Sequence, residues 1–146
     1  MITKHSGDFK WDNVDVLPYK EDGNHFKSIT RQVLFCGDGD LPVEFRYFEV
    51  GPGGHSTLEK HVHQHAVMII RGRGTVMVGD QITEIGCQDI VHIPPLTWHQ
   101  FKADRDDYLG FLCIVNHDRD RPQRPGTGSD VDEICVSEEI REFIRY

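Results

Sequence analysis

The amino-acid sequence predicts an all-β fold, a barrel of short antiparallel strands, and three features carry that expectation. From residue 31 onward, four- to eight-residue runs rich in Val, Ile, Phe and Tyr follow one another. Glycine or proline separates them, drawn from 14 glycines and 7 prolines, as short strands joined by tight turns require. No strand–helix–strand unit interrupts the series, so a parallel sheet with crossover helices is not indicated.

Taken in order, residues 1–30 are polar and carry turn formers such as Glu21-Asp22-Gly23-Asn24. They read as an irregular arm lying on the barrel or on a neighbouring subunit. The barrel is expected over residues 31–116, with strands at Gln32–Phe35, Val43–Val50, Ser56–His61, Ala66–Arg71, Thr75–Val78, Gln81–Ile85, Asp89–Ile93 and Tyr108–Val115. Gly37-Asp38-Gly39-Asp40, Gly51-Pro52-Gly53-Gly54, Gly72-Arg73-Gly74, Gly79-Asp80, Pro94-Pro95 and Asp104-Arg105-Asp106-Asp107 are the expected separators. Eight strands with hairpin-length gaps suit closure, which removes sheet edges that would otherwise invite aggregation. Beyond the barrel, residues 117–146 form a tail: His117–Asp130 is charged and rich in Pro and Gly, as a surface-running chain would be, and a short helix follows. Ser137 is placed to cap that helix, Glu138 and Glu139 favour its positive end, and Ile140, Phe143 and Ile144 form an apolar stripe.

Composition narrows the function. A chain of 146 residues suits one domain with its own core. The net charge is −8 and no Lys/Arg cluster is long enough to track a phosphate backbone, which points away from nucleic acid and towards a small ligand. No apolar run approaches the roughly 20 residues of a membrane span, and MITKHSGDFKW has no apolar signal core, so a cytoplasmic location is expected. The four cysteines, at 36, 87, 113 and 135, form no Cys-x-x-Cys pair and read as free thiols.

The densest chemistry is Glu59-Lys60-His61-Val62-His63-Gln64-His65. In extended chain the alternation puts 59, 61, 63 and 65 on one face, a group of metal-capable side chains directly ahead of an apolar strand. The competing reading is a solvated polar face with ordinary histidines.

Two segments around this cluster resemble the motifs of the cupin superfamily. Gly51-Pro52-Gly53-Gly54-His55, the cluster and Val67-Met68-Ile69-Ile70-Arg71-Gly72 are similar to the first; Asp89-Ile90-Val91-His92-Ile93-Pro94-Pro95-Leu96-Thr97-Trp98-His99 is similar to the second. The resemblance implies a double-stranded β-helix, or jelly-roll, barrel holding one divalent metal ion. Pairing His61-x-His63 with the family pattern leaves Val67 where the next ligand belongs, and valine binds no metal. Counted from the flanking glycines, five residues separate Gly53 from Glu59 and six separate His65 from Gly72, as the family motif asks. The implied set is then Glu59, His61, His65 and His99, with His63 at a turn position outside it. One carboxylate with three neutral imidazoles suits Mn, preferred here, or Fe, Co, Ni or Zn, and the absence of thiolates argues against a structural zinc site. Positions left open on such an ion would take water or a chelating substrate.

Arg46-Tyr47-Phe48-Glu49-Val50, Gly53-Gly54-His55-Ser56-Thr57-Leu58-Glu59, Arg71-Gly72-Arg73-Gly74, Trp98-His99-Gln100-Phe101 and Gly110-Phe111-Leu112-Cys113 resemble a narrower group of bacterial cupins. That group includes the 1-methylthio-xylulose 5-phosphate methylsulfurylases of sulfur salvage. The resemblance implies a phosphosugar substrate, an external thiol and a sulfur nucleophile, for which Cys113 is the candidate; the alternative is a buried cysteine that only packs. A cation near that thiol is expected to favour its ionisation. Arg46, Lys60, Arg71 and Arg73 are candidates for a phosphate handle or are ordinary surface charges, and Trp98 and Phe101 either shape the pocket or pack the wall. A homodimer is expected, as cupin barrels commonly pair. Three classes stay open: carbon–sulfur cleavage, another metal-dependent cupin reaction such as dioxygenation, decarboxylation or isomerisation, and non-catalytic binding or sensing.

Overall fold

Side-chain alternation sets the architecture. The computed structural model describes residues 1–20, 24–126 and 128–146. Its strands are β1 (His5–Gly7), β2 (Lys10–Trp11), β3 (Leu17–Pro18), β4 (Lys27–Cys36), β5 (Val43–His55), β6 (His65–Val78), β7 (Gln81–Gly86), β8 (Ile90–Ile93), β9 (His99–Ala103) and β10 (Leu109–Asn116); its helices are α1 (Gly128–Ile134) and α2 (Glu138–Phe143). Along β10, Leu109, Phe111, Cys113 and Val115 are buried, whereas Ile114 and Asn116 face out, the period of a wall with one side on the core. Strand β10 pairs with both β5 and β6, and β9 also pairs with both, so β5, β10, β6 and β9 close a ring. Every strand pairing among the described residues is antiparallel, and β4, β7 and β8 extend the walls. The fold is an all-β jelly-roll barrel with short strands before it and short helices after it.

Several expected boundaries move, each for a physical reason. Ala66–Arg71 and Thr75–Val78 are one strand, β6, because Gly72 and Gly74 do not turn the chain. They let neighbours come close: a Cβ at Gly72 would collide with the Tyr108 carbonyl, and one at Gly74 with the Lys102 carbonyl. Strand β5 likewise runs through Gly51-Pro52-Gly53-Gly54. Ser56–His61 is not a strand; only Glu59 and Lys60 make isolated bridges, to His99 and Gln123. Strand β9 has no counterpart in the expected set, since His99-Gln100-Phe101-Lys102-Ala103 offers little β-branched or apolar signal.

The amino-terminal arm is not irregular throughout. Strands β1 and β2 form a hairpin, β3 pairs with β4, and Phe9 and Trp11 pack on Tyr47 with ring centroids 5.7 and 5.3 Å away. The arm therefore lies on its own barrel; the turn formers Glu21-Asp22-Gly23 lie outside the described residues. In the tail, α1 begins inside the segment expected to run as surface chain, so among the described residues two helices follow the barrel rather than one. For α2 the Ser137 side chain accepts a hydrogen bond from the Ile140 N–H at 3.2 Å. Ile134, Ile140 and Ile144 pack with Leu58 and Met77 in a second apolar cluster on the outside of the barrel. Among the described residues no helix is long and apolar enough to cross a membrane.

Gln100 ties this tail to the wall. It is wholly buried, its Nε2 donates to the carbonyls of Ser56 (2.9 Å) and Arg145 (2.7 Å), and its Oε1 accepts from the Arg145 N–H (2.9 Å). Gln100→Ala strands the N–H and the carbonyl of Arg145, while the Ser56 carbonyl keeps its bond to His55 Nδ1. We expect it to lower stability by about 3 kcal/mol, read as an earlier midpoint in urea unfolding.

Candidate metal centre

Three imidazoles converge because backbone pairing brings their segments together. His65 opens β6, His99 opens β9, and His61 lies between β5 and β6. Glu59 and His99 exchange N–H···O=C bonds of 3.2 and 3.0 Å, and the Leu96 N–H donates to the His61 carbonyl at 2.7 Å. One donor nitrogen each from His61, His65 and His99 then lies within 4.8 Å of the others. The His61 ring is stacked on that of His65, centroids 4.3 Å apart, and edge-on to that of His99 at 4.8 Å.

The donor set fits a divalent transition metal. His61 Nδ1–H donates to the His63 carbonyl (2.6 Å) and His99 Nδ1–H to the Thr97 carbonyl (2.9 Å), which fixes the tautomers and leaves both Nε2 lone pairs free. His61 Nε2 is buried without a partner, a cost an ion would remove. Burial, reinforced by the neighbouring imidazoles, pushes His61 down to about 4 and His65 further down; burial also lowers His99. All three are neutral near pH 7, as ligands must be.

Glu59 and His63 stand differently. Glu59 is buried on the same cavity, but its Oε2 accepts from Lys20 Nζ at 2.6 Å, and it is not among the three converging groups. His63 stacks on His61 at 3.8 Å, its Nδ1–H donates to Asp120 (2.7 Å), and its Nε2 is 3.2 Å from His65 Nε2. Residues 59 to 65 alternate in burial as an extended chain would, although most of the segment is not a strand.

Beside the imidazoles is a cavity with an aromatic floor. Phe111 stacks on Phe48 and Phe101, centroids 5.5 and 4.6 Å apart, and all three line the cavity with His63, His65, His99 and Cys113. Cys113 is 1% exposed and sits opposite Arg46 of β5 and Val67 of β6. The Arg46 guanidinium donates to its Sγ at 3.4 Å. The expected cation is therefore present, yet it does not prevail: burial pushes the Cys113 thiol up, with Arg46 opposing.

Of the other singled-out residues, Arg46 and Phe101 line the cavity. Lys60 lies over the Trp98 ring at 4.6 Å, and Trp98 packs under the tail helices. Arg71 pairs with Glu49 (2.7 Å) and Asp8 (3.4 Å), and Arg73 with Asp104 (2.9 Å), away from the cavity. Sequence reasoning missed Tyr19, Lys20, Arg31 and Arg119 on the cavity, and Asp120 behind His63. The inward parity of Arg31 with Ile29 on β4 was a usable signal; the long-range contacts of the rest left none.

The profile described as Cupin domain matches residues 46–115. The chain is also 52% identical over 137 residues, 93% of its length and 86% of the relative's, to the 1-methylthio-D-xylulose 5-phosphate methylsulfurylase of Rhodospirillum rubrum. The chain belongs to the cupin superfamily. A cupin 2 conserved barrel domain protein from Rhodopseudomonas palustris superposes with a TM-score of 0.92 at 50% identity, covering 100% of both chains. A cupin-2 domain from Rhodospirillum rubrum gives 0.86 at 51% identity, covering 94% of this cupin and 91% of the other.

The depressed imidazoles make the metal-free cupin acid-sensitive. Below the ordinary value of 6.5 the unfolded chain takes up protons at His61, His65 and His99 that the folded chain refuses, so stability present above that pH is lost as pH falls towards 4. With chelator present, we expect the urea midpoint to be lower at about pH 5 than near neutrality; equal midpoints would show that the imidazoles protonate freely.

Proposed function

We propose that this cupin is a metal-dependent enzyme that removes the methylthio group from 1-methylthio-xylulose 5-phosphate to give 1-deoxyxylulose 5-phosphate. The observation that carries the reading is a thiol, Cys113, in the wall of the cavity onto which His65 and His99 open. The identity with the methylsulfurylase supports the choice of substrate. In this reading His61, His65 and His99 hold the ion, manganese being preferred, and Glu59 joins them when it leaves Lys20. When bound, a divalent ion supplies Lewis-acid stabilisation of charge on the sugar's keto oxygen.

Cys113 performs the bond exchange. Its sulfur attacks the methylthio sulfur; an S–S bond forms as the C1–S bond breaks, and the electron pair of that bond passes to the sugar as an enolate. The proton given up by the thiol balances the one taken up at C1, which becomes the methyl of the product. An external thiol then attacks the Cys113 methyl disulfide, leaves carrying the methylthio group as a mixed disulfide, and returns its proton to Cys113. Arg46 keeps Sγ oriented and opposes the effect of burial on its ionisation.

The same reading has the protein working in the cytoplasm as a homodimer. Met68 and Ile90, which face each other across β6 and β8, are exposed apolar groups suited to a subunit contact. A different metal-dependent reaction at the same centre is the alternative, favoured by the burial that holds Cys113 neutral.

Two experiments test the reading. His99→Ala should lose most bound metal and all turnover, and lose more than His63→Ala; metal content of both variants, with folding followed by circular dichroism, decides this, and equal occupancy would remove His99 from the ligand set. Cys113→Ser should keep fold and metal but lose methylthio transfer by at least about a thousandfold, because a hydroxyl replaces the soft nucleophile. Retained release of the methylthio group in that variant would eliminate the covalent step.

A further inference from the structure

The guanidinium groups of the cavity are in an unusual state for buried cations. Arg46 is 7% exposed, and its Nε has no hydrogen-bond partner; the nearest carboxylate oxygen, on Glu44, is 3.9 Å away. The other Glu44 oxygen is taken by Arg119 at 2.8 Å. Arg31 Nε is also buried without a partner, and Arg31 pairs with no carboxylate among the described residues. Unpartnered guanidinium N–H groups in a partly desolvated wall cost free energy, which an oxyanion would recover. Lys20, Arg31, Arg46 and Arg119 line the cavity, and among the described residues Glu59 pairs with Lys20 and Glu44 with Arg119, leaving the charges of Arg31 and Arg46 unmatched by a close ion pair.

Strand order aligns these groups with the chemistry. Successive strands β6, β10, β5 and β4 carry His65, Cys113, Arg46 and Arg31 on the inner face: Cys113 stands opposite Val67 and Arg46, and Arg31 opposite Phe48. The thiol thus lies between the imidazole side and the guanidinium side of one wall. A substrate whose sulfur meets Cys113 and whose keto oxygen meets the imidazole side carries its phosphate three carbons beyond the keto group, and curling back past the thiol brings that end over Arg46 and Arg31.

We propose that Arg31 and Arg46 form an anion subsite for the terminal phosphate of the substrate, with Lys20 and Arg119 supplying flanking charge. The two unmatched charges of Arg31 and Arg46 match a phosphate dianion, and their planar guanidinium N–H groups match its oxygens. This rests on the proposed function for the sugar that carries the phosphate, but the subsite itself is readable with inorganic phosphate alone.

The test is calorimetric titration of the metal-loaded full chain with inorganic phosphate, repeated after chelation. Arg31→Gln should weaken phosphate binding about tenfold or more and raise KM for the phosphosugar by a similar factor with a smaller change in kcat. Arg31→Lys should recover part of the loss, and Arg73→Gln, which removes a cation paired outside the cavity, should change neither. Arg46→Gln is a second variant, scored only if its unfolding midpoint shows it folded; Arg31→Gln decides the matter otherwise. Absence of phosphate binding by the parent protein, unchanged affinity in folded Arg31→Gln, or binding that disappears with the metal would overturn the subsite. Phosphate binding that depends on Arg31 in a protein that releases no methylthio group would uphold the subsite and defeat the reaction instead.

Discussion

The exchange of backbone hydrogen bonds between Glu59 and His99 is the constraint on which the site depends. The chain from Ser56 to Gln64 leaves the regular sheet, so its amides and carbonyls need partners supplied from elsewhere. His99 at the head of β9 supplies two, Leu96 and Gln123 supply others through His61 and Lys60, and Asp120 accepts from the N–H groups of Val62 and His63. An irregular segment held at this many points presents its imidazoles as rigidly as a strand would. It also turns His61 inward at a place where strand geometry alone would not converge it with His65 and His99.

The interior is accordingly divided by polarity. One part is dry: Val50, Val67, Ile69, Ile93 and Leu109 are nearly or wholly buried and fill the barrel as a conventional core. The other part, over Phe48, Phe101 and Phe111, gathers imidazoles, guanidinium groups and a thiol around open space. Burial acts on His61, His65, His99 and Cys113 against their charged forms, which is why these imidazoles and the thiol alike are driven to neutrality. Polar groups concentrated in a low-dielectric setting are costly to the fold and are retained where a ligand completes them.

Much of this was legible in the sequence where local pattern and local structure coincide. The alternation in residues 108–115 and the capping Ser137 both led to elements that form. The convergence of His65 and His99 was also legible, because two motifs of known spacing flank them. What escaped notice was decided at long range. Gly72 and Gly74 read as a turn because their need for glycine comes from Tyr108 and Lys102, more than 25 positions on. The partner of Glu59 was invisible because Lys20 reaches it from the arm, and Asp120 stood in a segment that looked like plain surface chain.

The bond between Gln100 and residue 145 bears on how such a sequence can drift. Gln100 grips only the backbone of Arg145, in both directions, while the Arg145 side chain bonds back to carbonyls of its own helix end. The identity of residue 145 is therefore nearly free, but its distance along the chain from Ser137 is not. A single inserted or deleted residue within α2 would take Arg145 out of register with the neighbour of His99. At position 145 the constraint therefore falls on length rather than on composition, whereas Ser137, Ile140 and Ile144 in the same tail stay bound to their identities by the cap and the second apolar cluster.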